Sequence, residues 1–188
     1  MQPALETSRL VIRDWTDSDA DVRAAFTLYG RQEVTQWLTP AITHVTDLAE
    51  MREVLRRWLD EQASDLPPTG HWAMQRREDG AIVGGLVLRM LPPYDHDVEL
   101  TWQLRPEAWG HGYATEGARA LLAWAFGYEI DEVFALAMPA NTRAIATAGR
   151  IGMEWVGETS KYYGTSLQVY RIRPGDLPGL PPLDATED

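Results

Sequence analysis

Two periods of apolar and polar residues run along the chain, and the changes between them mark out its elements. Leu10-Val11-Ile12-Arg13 reads as an opening strand. Thr16-Asp17-Ser18-Asp19 offers the hydroxyl and carboxylate side chains of a capping-box-like helix start, which predicts a helix to about Tyr29. Over residues 45–62, Leu48, Met51, Leu55, Trp58 and Leu59 recur at helical spacing with charges opposite, the pattern of an amphipathic surface helix. Asp65-Leu66-Pro67-Pro68-Thr69-Gly70 is a loop, because two prolines and a glycine sustain neither regular element.

From His71 the period shortens to that of strands. Trp72-Ala73-Met74-Gln75 leads to Glu78-Asp79-Gly80, where Asp-Gly signals a hairpin. Ile82 to Met90 returns, with Gly84-Gly85 predicting a bulge or a close backbone approach. A second loop over residues 92–97 hands over to residues 98–104, whose apolar and polar residues alternate. Ala114, Ala118, Leu121, Leu122 and Ala125 then form a helical stripe. Residues 132–136 read as a strand, Thr142 to Ile151 as a short helix ending at Gly152, and residues 153–156 and 167–172 as two closing strands. Prolines 174, 178, 181 and 182 with an acidic end make residues 174–188 a tail. The order predicts an α/β chain (α+β) with a mixed sheet and one βαβ crossover in its middle, rather than a fully wound parallel sheet. No internal repeat is evident.

Composition narrows the function classes. The 188 residues fit one domain, and 45% hydrophobic residues with eight tryptophans can fill its core. The net charge of −11, from 17 basic and 28 acidic residues, argues against nucleic acid and against anionic membrane surfaces. It favours a cationic or amine-bearing partner. With no cysteine there is no disulfide, no thiolate nucleophile and no cysteine-based metal site. His44, His71 and His96 show no metal spacing, so no metal is expected. Neither a signal peptide nor a membrane-length apolar run is visible, and a cytoplasmic protein is the expectation.

Chemistry concentrates where the 98–104 strand runs through a glycine turn into the next helix, at Trp109-Gly110-His111-Gly112-Tyr113-Ala114-Thr115. Free amides and the positive end of the helix dipole converge there, a ready site for an anion. Gly-x-Gly alone is weak: Thr115 stands where a dinucleotide fingerprint needs its third glycine, and no Gly-Lys-Ser/Thr is present. On local chemistry the alternatives are a pyrophosphate cradle, amides from Gly110 to Thr115 plus the Thr115 hydroxyl, and a tight turn needing glycine for geometry alone.

Trp109 to Gly117 resembles the acetyl-coenzyme A loop of the GCN5-related N-acetyltransferases (GNAT), and most closely the RimJ/RimL (ribosomal-protein-alanine acetyltransferase-like) branch. Leu5 to Arg13, Asp79 to Gly84, and Asn141-Thr142-Arg143-Ala144 with Gly152-Met153 resemble that branch's opening strand, central hairpin and N-x-x-S…G-F segment, so the likeness spans roughly residues 5–173. It implies a mostly antiparallel sheet of six to seven strands flanked by about four helices, with splayed central parallel strands, in a single domain over residues 1–173. It also implies transfer of the acetyl group of acetyl-CoA, as co-substrate, directly to an amine in a ternary complex. The amine is a protein N-terminus or a small molecule, and a homodimer is compatible with the likeness. A catalytically idle acyl-CoA-binding sensor or scaffold module is the alternative.

Residue by residue, the resemblance assigns the pyrophosphate to the amides of Gly110, Gly112 and Ala114 and their neighbours Trp109, His111, Tyr113 and Thr115. His111 would add charge only when protonated. Backbone groups near Gln103 and Leu104 would pair with the pantetheine arm, and an amide near Leu104 would donate to the thioester carbonyl. Asn141 would contact the same arm, with a plain helix N-cap as its competing role. Glu99 is the candidate base for the ammonium proton, against a solvated strand glutamate. Alternation puts it on one face with Thr101 and Gln103, unless the family's bulge in this strand intervenes. Ala144 replaces the expected serine, and the 142–151 helix has no tyrosine to protonate the leaving thiolate. Tyr162 and Tyr163 are the substitutes, with pocket lining as the competing role. Trp37, Trp58 and Trp72 are expected in the core or pocket wall, and Glu116 bracing the turn.

Overall fold

The computed structural model describes residues 4–38, 44–64, 67–91 and 97–179. Eight strands build one sheet: β1 (Leu5–Glu6), β2 (Leu10–Asp14), β3 (Gly70–Arg76), β4 (Ile82–Met90), β5 (Val98–Leu104), β6 (Val133–Ala137), β7 (Glu154–Thr159) and β8 (Leu167–Ile172). Their spatial order is β1-β2-β3-β4-β5-β6-β8-β7, and β5–β6 is the parallel pair in an otherwise antiparallel sheet. The expected mixed architecture is therefore present, with one strand more than expected, the two-residue β1.

Helices α1 (Asp19–Tyr29), α2 (Gln32–Thr35), α3 (Leu48–Ser64), α4 (Tyr113–Ala125) and α5 (Thr142–Ile151) flank the sheet. Helices α1, α3 and α5 start where side chains satisfy free amides, whereas α4 has no side-chain cap. Ser18 caps α1 by accepting from Asp21 N–H, and the Asp21 carboxylate accepts from Thr16 N–H at 2.9 Å, so the helix starts where expected but through Ser18 and Asp21 rather than Thr16 and Asp19. Before α3, Asp47 accepts from Glu50 N–H at 2.8 Å while Glu50 accepts from Thr46 N–H at 2.8 Å. Gly152 closes α5 in the left-handed conformation, as expected.

Two apolar layers form on the two faces of the sheet. Leu86, Leu88, Val98 and Leu100 pack with Ala118, Leu121 and Leu122 of α4 and Ala148 and Ile151 of α5. On the other face Ala73, Ile82 and Val87 pack with Val22, Ala25 and Leu28 of α1 and Met51, Leu55 and Trp58 of α3. Trp58 and Trp72 are core residues, as expected.

The Gly84-Gly85 pair marks both a bulge and a close approach. Met74 pairs with Gly84 but Gln75 with Ile82, so β4 carries one extra residue against β3. A Cβ on Gly84 would stand 2.2 Å from the Gln103 carbonyl, and one on Gly85 2.7 Å from the Tyr29 hydroxyl. The bulge that the resemblance places in the 98–104 strand is not there: β4 and β5 keep one register from Gly84↔Leu104 to Met90↔Val98.

Of the expected loops, residues 65–66 and 92–96 lie outside the described residues, as do residues 180–188 of the tail. Pro174–Asp176 form a 3-10 turn and Leu177 packs into the main core, 4% exposed. Among the described residues no helix is long and apolar enough to cross a membrane.

Candidate functional site

The glycine turn is a row of unspent donors. Gly110 and Gly112 both hold left-handed backbone, at φ 81° and 79°, which turns the chain sharply between a 3-10 turn at Pro106–Ala108 and α4. The first hydrogen bond of α4 runs from Glu116 N–H to the Gly112 carbonyl at 3.1 Å. Among the described residues, the N–H groups of residues 110–115 have no acceptor. Six neighbouring donors at a helix N-terminus fit a pyrophosphate.

Glu116 braces the turn, as expected. Its carboxylate accepts from Thr7 Oγ1 (2.6 Å), Arg9 N–H (2.9 Å) and Arg9 Nε (2.7 Å). Arg9 in turn donates Nη1 to the His111 carbonyl at 2.9 Å and lies over the Tyr113 ring. His111 is exposed and stacks on Tyr113, Tyr113 and Ala114 are buried, and Thr115 is half-buried.

A gap in the sheet opens beside this turn. The parallel pair β5–β6 is joined only at Val98↔Val133 and Glu99↔Phe134, and beyond Glu99 the strands part. A cavity of about 660 Å³ fills the gap, walled by β5, β6, α5, Trp109, Gly110 and Ala114, and on the α1–α3 side by Glu33, Val34, Trp37 and Leu38.

Strand pairing decides which backbone groups face the gap. Arg105 N–H donates to the Val83 carbonyl and Leu91 N–H to the Asp97 carbonyl. In an antiparallel ladder such pairs recur every second residue, so the odd-numbered residues of β5 spend their backbone groups on β4. The expected backbone role of Gln103 is thereby corrected: Trp102 and Leu104 present N–H and C=O to the gap instead. The Leu104 carbonyl is already occupied by Trp109 Nε1, at 3.0 Å. Gln103 contributes its side chain to the wall, held by the Tyr29 hydroxyl at 3.1 Å and by its own bond to Thr101 Oγ1 at 3.0 Å.

Glu99 also belongs to the cavity wall, and it is 0% exposed. The solvated-glutamate alternative is excluded. Alternation holds: Glu99, Thr101 and Gln103 share the face opposite Leu100. Arg89 of β4 donates both Nε (2.9 Å) and Nη2 (2.7 Å) to Glu99 Oε2, and the Tyr163 hydroxyl donates to the same oxygen at 3.2 Å. Burial raises the Glu99 carboxyl above the usual carboxylate range, and Arg89 and Tyr163 offset part of that rise.

Neither Tyr162 nor Tyr163 lines the cavity. The buried Tyr162 hydroxyl donates to Asp97 and accepts from Lys161 Nζ at 3.0 Å. Tyr163 reaches the site through its bond to Glu99, with Arg89 over its ring at 5.4 Å.

Asn141 caps α5 by accepting from Ala144 N–H at 3.2 Å, so its N-cap role is real, and it lines the cavity as well. Arg143, beside it, stacks on the Trp109 ring at 4.0 Å. Trp37 is pocket wall, as expected.

Arg89, Arg9 and Tyr29 escape a reading from motifs alone. Arg89 stands directly across from Glu99 in the β4–β5 register.

Known proteins share this architecture. An acetyltransferase of the GNAT family from Bacillus anthracis superposes with a TM-score of 0.73 over 91% of this chain and 98% of its own, at 20% identity. RimL, a ribosomal L7/L12 alpha-N-protein acetyltransferase solved in complex with coenzyme A, gives 0.73 over 91% and 98%, at 16% identity. In sequence, the chain is 24% identical over 173 residues to p20 of Bacillus licheniformis, an uncharacterized N-acetyltransferase, covering 88% of this chain and 92% of that one. The family profile described as "Acetyltransferase (GNAT) domain" matches residues 9–154, most of the chain. These matches favour an enzyme over an idle acyl-CoA-binding module. By that profile the chain belongs to the GNAT family, and it is an acyl-CoA-dependent N-acetyltransferase.

Proposed function

We propose that the chain transfers the acetyl group of acetyl-CoA directly to an amine, protein N-terminal or small-molecule, and that it stands in the RimJ/RimL-like branch. The arrangement that supports this best is a row of six unspent N–H donors beside a strand gap whose wall contains a buried carboxylate.

Acetyl-CoA would supply an activated acyl group as its thioester. The amides of residues 110–115 would hold its pyrophosphate, and the free groups of Trp102 and Leu104, with Asn141, its pantetheine arm. The Leu104 N–H is then the donor nearest the parting of the strands for the thioester oxygen. Glu99 would take the proton that an ammonium must lose before it attacks, and a carboxylate raised by burial is better matched to that task than an ordinary one. Tyr163 acts here as a donor to Glu99, and Tyr162 is committed to Asp97.

Thiol release from acetyl-CoA over a panel of small amines and N-terminal peptides tests the reaction. For Glu99→Gln we expect kcat to fall by about 10²- to 10⁴-fold with the KM for acetyl-CoA nearly unchanged. Wild-type turnover in that variant removes Glu99 as the base.

A further inference from the structure

Arg89 and Glu99 form an ion pair of unusual shape. A guanidinium beside a buried carboxylate normally spreads its parallel N–H groups over both oxygens. Here Nε and Nη2 converge on Oε2, and the Tyr163 hydroxyl joins them on that oxygen. Oε1 has no hydrogen-bond partner among the described residues, although Glu99 is fully buried. A charged oxygen without a partner inside a protein is costly, and evolution seldom leaves one unless a ligand completes it.

Among the described residues, Arg89 is the cation that acts on Glu99. His71 of β3 lies near Arg89, stacked on Trp58 at 4.5 Å and 3.7 Å from Glu61 of α3. Burial, and secondarily Arg89, push its pKa down to about 3, so it is neutral. Glu33 of α2 lies across the cavity and would raise rather than lower the cost of a second carboxylate. Lys161, after β7, is engaged with Asp97 and Tyr162.

We propose that Arg89 is a positioning residue for Glu99: gripping Oε2 alone, it keeps the carboxylate charged inside a dry wall and reserves Oε1 for the ammonium of the acceptor. This rests on Glu99 being the base. On that footing the ammonium hands one proton to Oε1, its nitrogen keeps the electron pair that attacks, and Arg89 keeps its charge beside the neutral acid.

The titration of Glu99 can be read without any acceptor, from the infrared C=O stretch of its protonated carboxyl, assigned by its loss in Glu99→Gln. In Arg89→Met the midpoint should rise by about 1–3 pH units, the range set by an adjacent opposite charge. Arg89→Lys should return most of the shift. Tyr163→Phe, which removes a single neutral donor and leaves Arg89 in place, should raise the midpoint by less. Arg89→Gln serves if Arg89→Met does not fold, and an unmoved midpoint in whichever of these two folds overturns the role of Arg89. Wild-type turnover in Glu99→Gln would instead overturn the base itself.

Discussion

Gly112 carries both halves of the argument for the cofactor turn: its φ of 79° aims the amides after it, and a Cβ there would meet only Arg9 Nη2 at 3.6 Å. Space alone would tolerate a side chain, so the objection is conformational. A β-branched residue in left-handed backbone costs about 1–3 kcal/mol, and relief of that strain would turn the following N–H groups away from a common centre. Gly112→Val should weaken acetyl-CoA binding by about tenfold or more, since 1.4 kcal/mol is a factor of ten, with a modest loss of thermal stability. Calorimetric titration checks it, and an unchanged Kd in a folded variant would sink the cradle. The glycine turn was legible because positive φ selects glycine. Glu99 was legible in its facing but not in its burial. Polar residues at 99, 101 and 103 look like the wet side of a strand, whereas α1, α2 and α3 cover that side and make it a cavity wall. The facing of the Gln103 backbone was not legible for a related reason: which way an amide points depends on the partner strand, which the sequence of β5 does not contain.

At the scale of elements, α4 is moored to the start of the sheet through one side chain. Glu116 accepts from Thr7, Ser8 and Arg9. Burial raises its carboxyl, but those hydrogen bonds together outweigh burial and hold it below the usual carboxylate range. A depressed carboxylate contributes stability above its unfolded pKa, about 4.3, and that contribution is lost as pH falls through the folded value. Glu116→Gln should therefore destabilise the protein near neutral pH by about 1–3 kcal/mol, the cost of a lost charged hydrogen-bond partner. The difference should shrink below about pH 4. Thermal melts of both proteins across pH test this, and a pH-independent difference would contradict the brace. The period of the sequence revealed every long helix and strand, because each presents several turns or alternations to a covered face. It could not reveal β1 or α2, of two and four residues, which are too short to show a period. Nor could it say where β5 and β6 part, since that depends on how two strands distant in sequence diverge.

For the whole molecule, the proposed reaction needs two supply routes, one for acetyl-CoA and one for the amine, and both would end at the gap in the sheet. The α4 and α5 layer carries the donor turn, while α2, on the α1–α3 side, lines the gap from the other face. The net charge of −11 acts on both routes with opposite sign. Acetyl-CoA is a polyanion, and the turn that would receive it is built from backbone amides and from an Arg9 already paired with Glu116, so little net positive charge offsets the long-range field. An amine acceptor arrives as a cation and is drawn by the same field. Salt shortens the reach of both effects, from about 30 Å at 0.01 M to about 8 Å at 0.15 M. Raising ionic strength over that range should therefore increase kcat/KM for acetyl-CoA and decrease it for a polycationic amine, with a smaller decrease for a monoamine. Steady-state rates with each substrate varied in turn decide the matter. If both parameters moved in the same direction, local charges at the cavity mouth, such as Arg143 and Glu33, would govern association in place of the charge of the whole chain.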